Sequence, residues 1–83
     1  MDFSERFATN LVRLRQEAGL SRDGLALQSS IKAGLIDSFE AGRALPRIEE
    51  AIQLAGALGV PIDALSDGIE WRPGPGEFDI TDR

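Results

Sequence analysis

Residues 11–46 read LVRLRQEAGLSRDGLALQSSIKAGLIDSFEAGRALP, and this stretch decides the fold. It holds three short apolar-periodic runs cut by turn signals. Phe7, Leu11, Leu14 and Ala18 recur at i, i+4, i+7 and i+11, one stripe of a first helix. Ser4 stands ahead of it as an N-cap. Gly19 follows, where a left-handed residue closes a helix, and Leu20 can fold back onto the last turn. Ser21 then caps a second helix over about residues 22–29, with Leu25 and Ala26 inward. Gly24 sits where a capping box wants Glu or Gln, a loss of about 0.5–1 kcal/mol relative to Ala. Ser29-Ser30 is a turn. A third helix runs over about 32–41, with Ile31 as a plug before it. Its inward side chains are Leu35 or Ala33, then Ile36 and Phe39; Gly42 ends it.

Beyond this core the pattern continues. Pro46 keeps Gly42–Pro46 a loop, because proline disfavours helix in the residue before it. A fourth helix spans about 47–58, with Ile48, Ala51, Ile52, Ala55 and Leu58 on its apolar face. Gly59 stops it, and Pro61 opens a last short helix through Ile62 and Leu65. After Ser66-Asp67-Gly68 the period changes. Ile69 and Trp71, then Phe78 and Ile80, alternate with polar residues around Pro-Gly-Pro-Gly at 73–76, which predicts a small hairpin or two extended strips. A lone hairpin is marginal in water, so Trp71 and Phe78 must pack on the helical core or on a second copy. The expectation is an all-α, five-helix domain at 1–68 with an extended or β-hairpin tail at 69–83.

Composition narrows the function. At 83 residues the chain makes one small domain, and with 42% hydrophobic and 28% charged residues it is globular. It has no cysteine and no histidine, which removes disulfides, thiolate metal sites and the commonest general base and metal ligand. No glycine-rich phosphate loop follows a strand. These absences argue against an enzyme, and no cofactor is expected. No apolar run approaches the roughly 20 residues of a membrane span, and the acidic start MDFSERFATN lacks the features of a secretory signal. A cytoplasmic protein is expected.

Net charge is −5, the wrong sign for a nucleic-acid binder, but it is unevenly spread. Residues 1–47 carry seven bases and six acids, net +1; residues 48–83 carry two bases and eight acids, net −6. A phosphate-facing surface must come from the first part.

Two short helices joined by a tight turn form a helix-turn-helix, whose second member enters the major groove. The wording goes further. LVRLRQEAGLSRDGLAL, IKAGLIDSFEAGRALP and IEEAIQLAGALGVPIDALSDG together resemble the XRE family, the Cro and phage-repressor type of helix-turn-helix regulator. The resemblance covers about residues 7–68. It implies five helices and a homodimer on a two-fold duplex DNA operator, with recognition helices about 34 Å apart. By residue, it places Lys32, Ala33, Gly34, Asp37 and Ser38 on the groove-facing side of the recognition helix. It puts Arg22 at a phosphate and Arg43 and Arg47 at the backbone or minor-groove edge. It pairs Glu40 with Arg13 or Arg15 as scaffold.

This chain departs from the family at several points. Ala33, Gly34 and Ser38 stand where longer polar readers are usual, and short residues make no bidentate base pair. Asp37 can accept from cytosine N4 or repel phosphate. Ser30 stands where glycine is usual, and Gly24 replaces Glu or Gln. Lys32 reads equally as a solvated charge. Glu49-Glu50 is an adjacent pair that does not converge on one site. The leading expectation is therefore a dimeric DNA-binding repressor. The alternative is a protein-interaction module on the same fold, with an accessory or antitoxin-like partner. Dimer contacts are assigned to Trp71, Phe78 or Ile80, because a domain this small cannot cover that apolar alternation.

Overall fold

The structure, a computed structural model, describes residues 3–66. Four α-helices and a terminal 3-10 helix follow in order: α1 (Phe3–Glu17), α2 (Arg22–Ser29), α3 (Ala33–Glu40), α4 (Ile48–Leu58) and the 3-10 helix Ile62–Ser66. The fifth helix is thus not an α-helix. It is a five-residue turn entered from Pro61, whose carbonyl accepts from the Ala64 N–H at 3.0 Å. The hairpin expected in the tail, with Trp71, Phe78 and Ile80, and the domain boundary at 68/69 lie outside the described residues.

α1 packs on α3 and the 3-10 helix; α2 packs on α3 and α4; α4 closes against the 3-10 helix. The core is Phe7, Leu11 and Leu14 of α1, Leu25, Ile31, Ile36 and Phe39 around the helix-turn-helix, and Leu54, Ala55, Leu58 and Leu65. Phe7 meets Phe39 edge-to-face, with ring centroids 6.1 Å apart, an arrangement aromatic quadrupoles favour. The buried Asn10 amide donates to the Leu65 carbonyl at 2.9 Å, which ties the first helix to the last.

All four α-helices end in the same backbone device: at α2 it is Ser30, with φ +63° and the Ile31 N–H reaching the Ala26 carbonyl, and at the others a glycine. Gly19, Gly42 and Gly59 have φ of +73°, +76° and +71°. After each, the next N–H reaches five residues back: Leu20 to the Arg15 carbonyl, Arg43 to that of Ser38, and Val60 to that of Ala55. This is the Schellman closure, in which glycine escapes the steric cost of the left-handed region. Leu20 and Val60 lay apolar side chains on the core, as the motif prefers; Arg43 instead faces solvent.

Several sequence expectations need correction. α1 already includes Phe3, so Ser4 lies in its first turn and does not cap it. Ala18 is exposed. In α4 the phase is rotated: Leu54, Ala55 and Leu58 are buried, Ala51 is half-buried, and Ile48 and Ile52 are exposed. α4 is apolar around most of its girth, so its periodicity admits two faces, and the packing of α2 and the 3-10 helix selects the one with Leu54. Among the described residues, no helix is long and apolar enough to cross a membrane.

Candidate nucleic-acid interface

α2, the turn Ser30–Lys32 and α3 form the helix-turn-helix. Ser21 caps α2, its Oγ accepting from the Gly24 N–H at 2.9 Å. The turn is made by Ser30, the one described non-glycine residue with positive φ (63°). The Ser29 side chain, buried, accepts from the Ile31 N–H at 3.3 Å and braces the turn from inside. Ile31 then plugs into the core and sets the angle at which α3 departs.

α3 starts at Ala33 without a side-chain cap; Lys32 occupies the N-cap in extended conformation. Ile36 and Phe39 anchor the helix. On the other side Lys32, Gly34 and Asp37 are exposed, and Ala33 and Ser38 are half-buried at the margins. Among the described residues nothing lies within 4 Å of where a Cβ at Gly34 would sit, so none of them crowds its backbone there. Arg43 follows α3 immediately and is exposed. Arg47 is the exposed N-cap residue of α4, and its N–H is held by the Glu50 carboxylate at 2.9 Å. A guanidinium offers no acceptor, so Arg47 cannot complete the reciprocal half of a capping box. Lys32, Arg43 and Arg47 are paired with no acid among the described residues.

Arg22 is placed differently. It opens α2, and its Nη1 lies 3.5 Å from Asp37 Oδ1 on α3, with both side chains about half exposed. Its Nε is also 4.0 Å from Glu40 Oε1. Glu40 is the hub of a scaffold cluster. Arg15 Nε donates to Glu40 Oε2 at 2.6 Å and Nη2 to Oε1 at 3.3 Å, while Nη1 donates to the Leu20 carbonyl at 3.0 Å. Of the two first-helix arginines named from the sequence, Arg15 therefore makes the pair. Arg13 faces Glu17 one turn along α1. The order Arg15–Glu40–Arg22–Asp37 alternates in sign and stitches α1, α2 and α3 together.

The structure thus places Arg22 at the start of α2, Lys32 at the N-cap of α3, Ala33, Gly34, Asp37 and Ser38 on α3, Arg43 in the loop after it and Arg47 at the N-cap of α4, and of these it brings Arg22 and Asp37 into contact. Sequence reasoning missed Asn10 and the Glu50 contact. Asn10 is a polar residue beside Leu11 on an apolar face, a signal that was available; the Glu50 contact follows the capping-box spacing from a residue type that normally does not cap.

This arrangement defines a helix-turn-helix domain of the DNA-binding regulator class. A family model described as a helix-turn-helix domain matches residues 6–67, and the chain belongs to that family. An HTH-type transcriptional regulator of Sinorhizobium fredii is 35% identical over 60 residues, covering 72% of this chain and 78% of that protein. Among solved structures, the restriction-modification controller protein C.AhdI from Aeromonas hydrophila superposes with a TM-score of 0.72 at 27% identity, over 75% of this chain and 94% of its own. An HTH_3 family transcriptional regulator from Vibrio cholerae gives 0.75 at 25% identity, over 81% of this chain but only 38% of its own. In fold the chain is like these XRE-type regulators.

Proposed function

We propose that this chain is a sequence-specific, double-stranded-DNA-binding transcriptional regulator that acts as a homodimer and represses by occupying its operator. The observation that carries the reading is the solvent-facing side of α3, small and open at Gly34, with Lys32 at its N-cap and the exposed Arg43 and Arg47 in the segment that follows it, none of the three paired with an acid among the described residues. In this reading Lys32, Ala33, Gly34, Asp37 and Ser38 meet the major groove, and Arg22, Arg43 and Arg47 meet phosphates. The short side chains on α3 let its backbone approach the bases closely, so shape and apolar contact contribute more than bidentate pairs. Similarity to a controller protein and to transcriptional regulators supports control of transcription. No step requires a catalytic group or cofactor. Two copies meet through the tail or the terminal helix, burying Trp71, Phe78 or Ile80.

The test is selection of bound duplexes from a random library at two salt concentrations. An inverted repeat, lost at the higher salt and with Arg43→Glu, is the expected result. No enrichment at either salt refutes the reading. A second reading, a protein-interaction module on the same fold, is favoured by one observation: Asp37 lies 3.5 Å from Arg22 on the face that would meet phosphate, where its negative charge opposes that contact. It predicts a stable heteromer and no salt-sensitive retardation of DNA.

A further inference from the structure

The side of α4 that the core leaves uncovered is not isolated. Ile48 is 66% exposed, and Phe3, Leu45 and Ile62 around it are each more than a third exposed. Together they wall an apolar groove of about 320 Å³ between the first turn of α1, the start of α4 and the 3-10 helix, floored by Phe7 and Leu65. Isolated exposed apolar residues need no explanation, but a contiguous set around a groove marks a surface that something covers.

The chain itself indicates the occupant. The groove's last wall is Leu65–Ser66, the point from which residues 67–83 continue. At roughly 3.3–3.6 Å per residue, Ile69 lies within about 10 Å of Ser66 along the chain and Trp71 within about 17 Å. Alternation places both on one face of an extended segment. Gly68 permits the chain to double back. Charge agrees as well: Asp63 is the charged residue lining the groove, and Arg72, next to Trp71, is the first base after Arg47. A segment tethered this closely has an effective concentration in the millimolar range, far above that of a second copy in solution.

We propose that this groove is the docking site of the chain's own Ile69–Trp71 segment, with Arg72 toward Asp63. Phe78 and Ile80 are then left for contact with a second copy. The inference does not depend on DNA binding, so its test and that of the proposed function fail separately.

Trp71 is the sole tryptophan and there is no tyrosine, so intrinsic fluorescence of the full chain reports on one residue. Emission and iodide quenching are followed across the accessible concentration range, for the unaltered protein and for Ile48→Glu and Leu45→Glu. Both substitutions fall on exposed positions, and circular dichroism and a cooperative melt check that each variant is folded. The expected result is blue-shifted emission at every concentration, with a shift to the red and a severalfold rise in quenching in both variants. Leu27→Glu, an exposed apolar position on α2 outside the groove, leaves the emission unchanged. Solvent-like emission in the unaltered protein, or emission indifferent to Ile48→Glu and Leu45→Glu, overturns the proposal. Blue-shifted emission that appears only as concentration rises also overturns it, and assigns the groove to a second copy.

Discussion

Removing Glu40 should cost this domain most of its stability, and the geometry says why. The Glu40 side chain is 7% exposed and that of Arg15 14%, and two guanidinium nitrogens reach the carboxylate at 2.6 and 3.3 Å. Bidentate charge-assisted bonds of this kind are strong, but the pair has also lost its water. In Glu40→Ala the Arg15 charge stays enclosed, held only by the Leu20 carbonyl at 3.0 Å. Breaking a buried pair from one side costs about 3–5 kcal/mol. For a domain of this size each kcal/mol moves Tm by about 4–8 °C, so a fall of at least about 12 °C is expected. Arg15→Ala should cost less. Arg22 Nε already lies 4.0 Å from Glu40 Oε1, and a modest rotation lets it take over. Arg15→Met with Glu40→Leu removes both charges and should recover much of the loss. The assay is a double-mutant cycle of Arg15→Ala, Glu40→Ala and the double alanine variant by urea unfolding, with the m-value compared throughout. If each single variant loses under about 1 kcal/mol and the double variant equals their sum, the pair is a surface-like contact and the reasoning is wrong.

Other perturbations test other parts of the structure. Asp37→Asn releases Arg22, so affinity for non-specific duplex should rise and the slope of log K against log salt should steepen by up to about 0.9 per half-site; an unchanged slope would mean Arg22 does not reach phosphate. Arg43→Ala should make the slope shallower by a similar amount while leaving the melt unaltered, since only its backbone closes α3. Ser30→Gly relieves a residue at φ 63° and should stabilise the domain by about 0.5–1 kcal/mol, read as a higher urea midpoint. Asn10→Ala strands the Leu65 carbonyl and should cost about 1–3 kcal/mol with no direct effect on the DNA face.

Much of this architecture was legible in the chain because its punctuation is unambiguous. Gly19, Gly42 and Gly59 each stand one step past an apolar-periodic run, and each adopts the positive φ that only glycine takes cheaply. Ser21 announces α2 in the same way. The phase of α4 was not legible. A helix with Ile48, Ala51, Ile52, Leu54, Ala55 and Leu58 offers two nearly equal stripes, and the choice between them depends on neighbours distant in sequence. The last short helix opened by Pro61 was legible, but not its type: five residues after Pro61 close as a 3-10 helix. At the candidate interface, residue types gave the positive charges but not their availability. That Asp37 lies within 3.5 Å of Arg22 depends on the crossing of α2 and α3, which residue spacing alone does not specify.

The end of α3 has a consequence for how such a domain can change its target. Its closure is made by the Gly42 and Arg43 amides alone, and the Arg43 side chain contributes nothing to it. Gly34 likewise has open space above it. On the reading proposed above, folding and contact with DNA therefore rest on separate atoms along this edge. A library randomised at Lys32, Gly34 and Arg43 should yield mostly folded members, so the proposed contacts with DNA can be varied without loss of the fold.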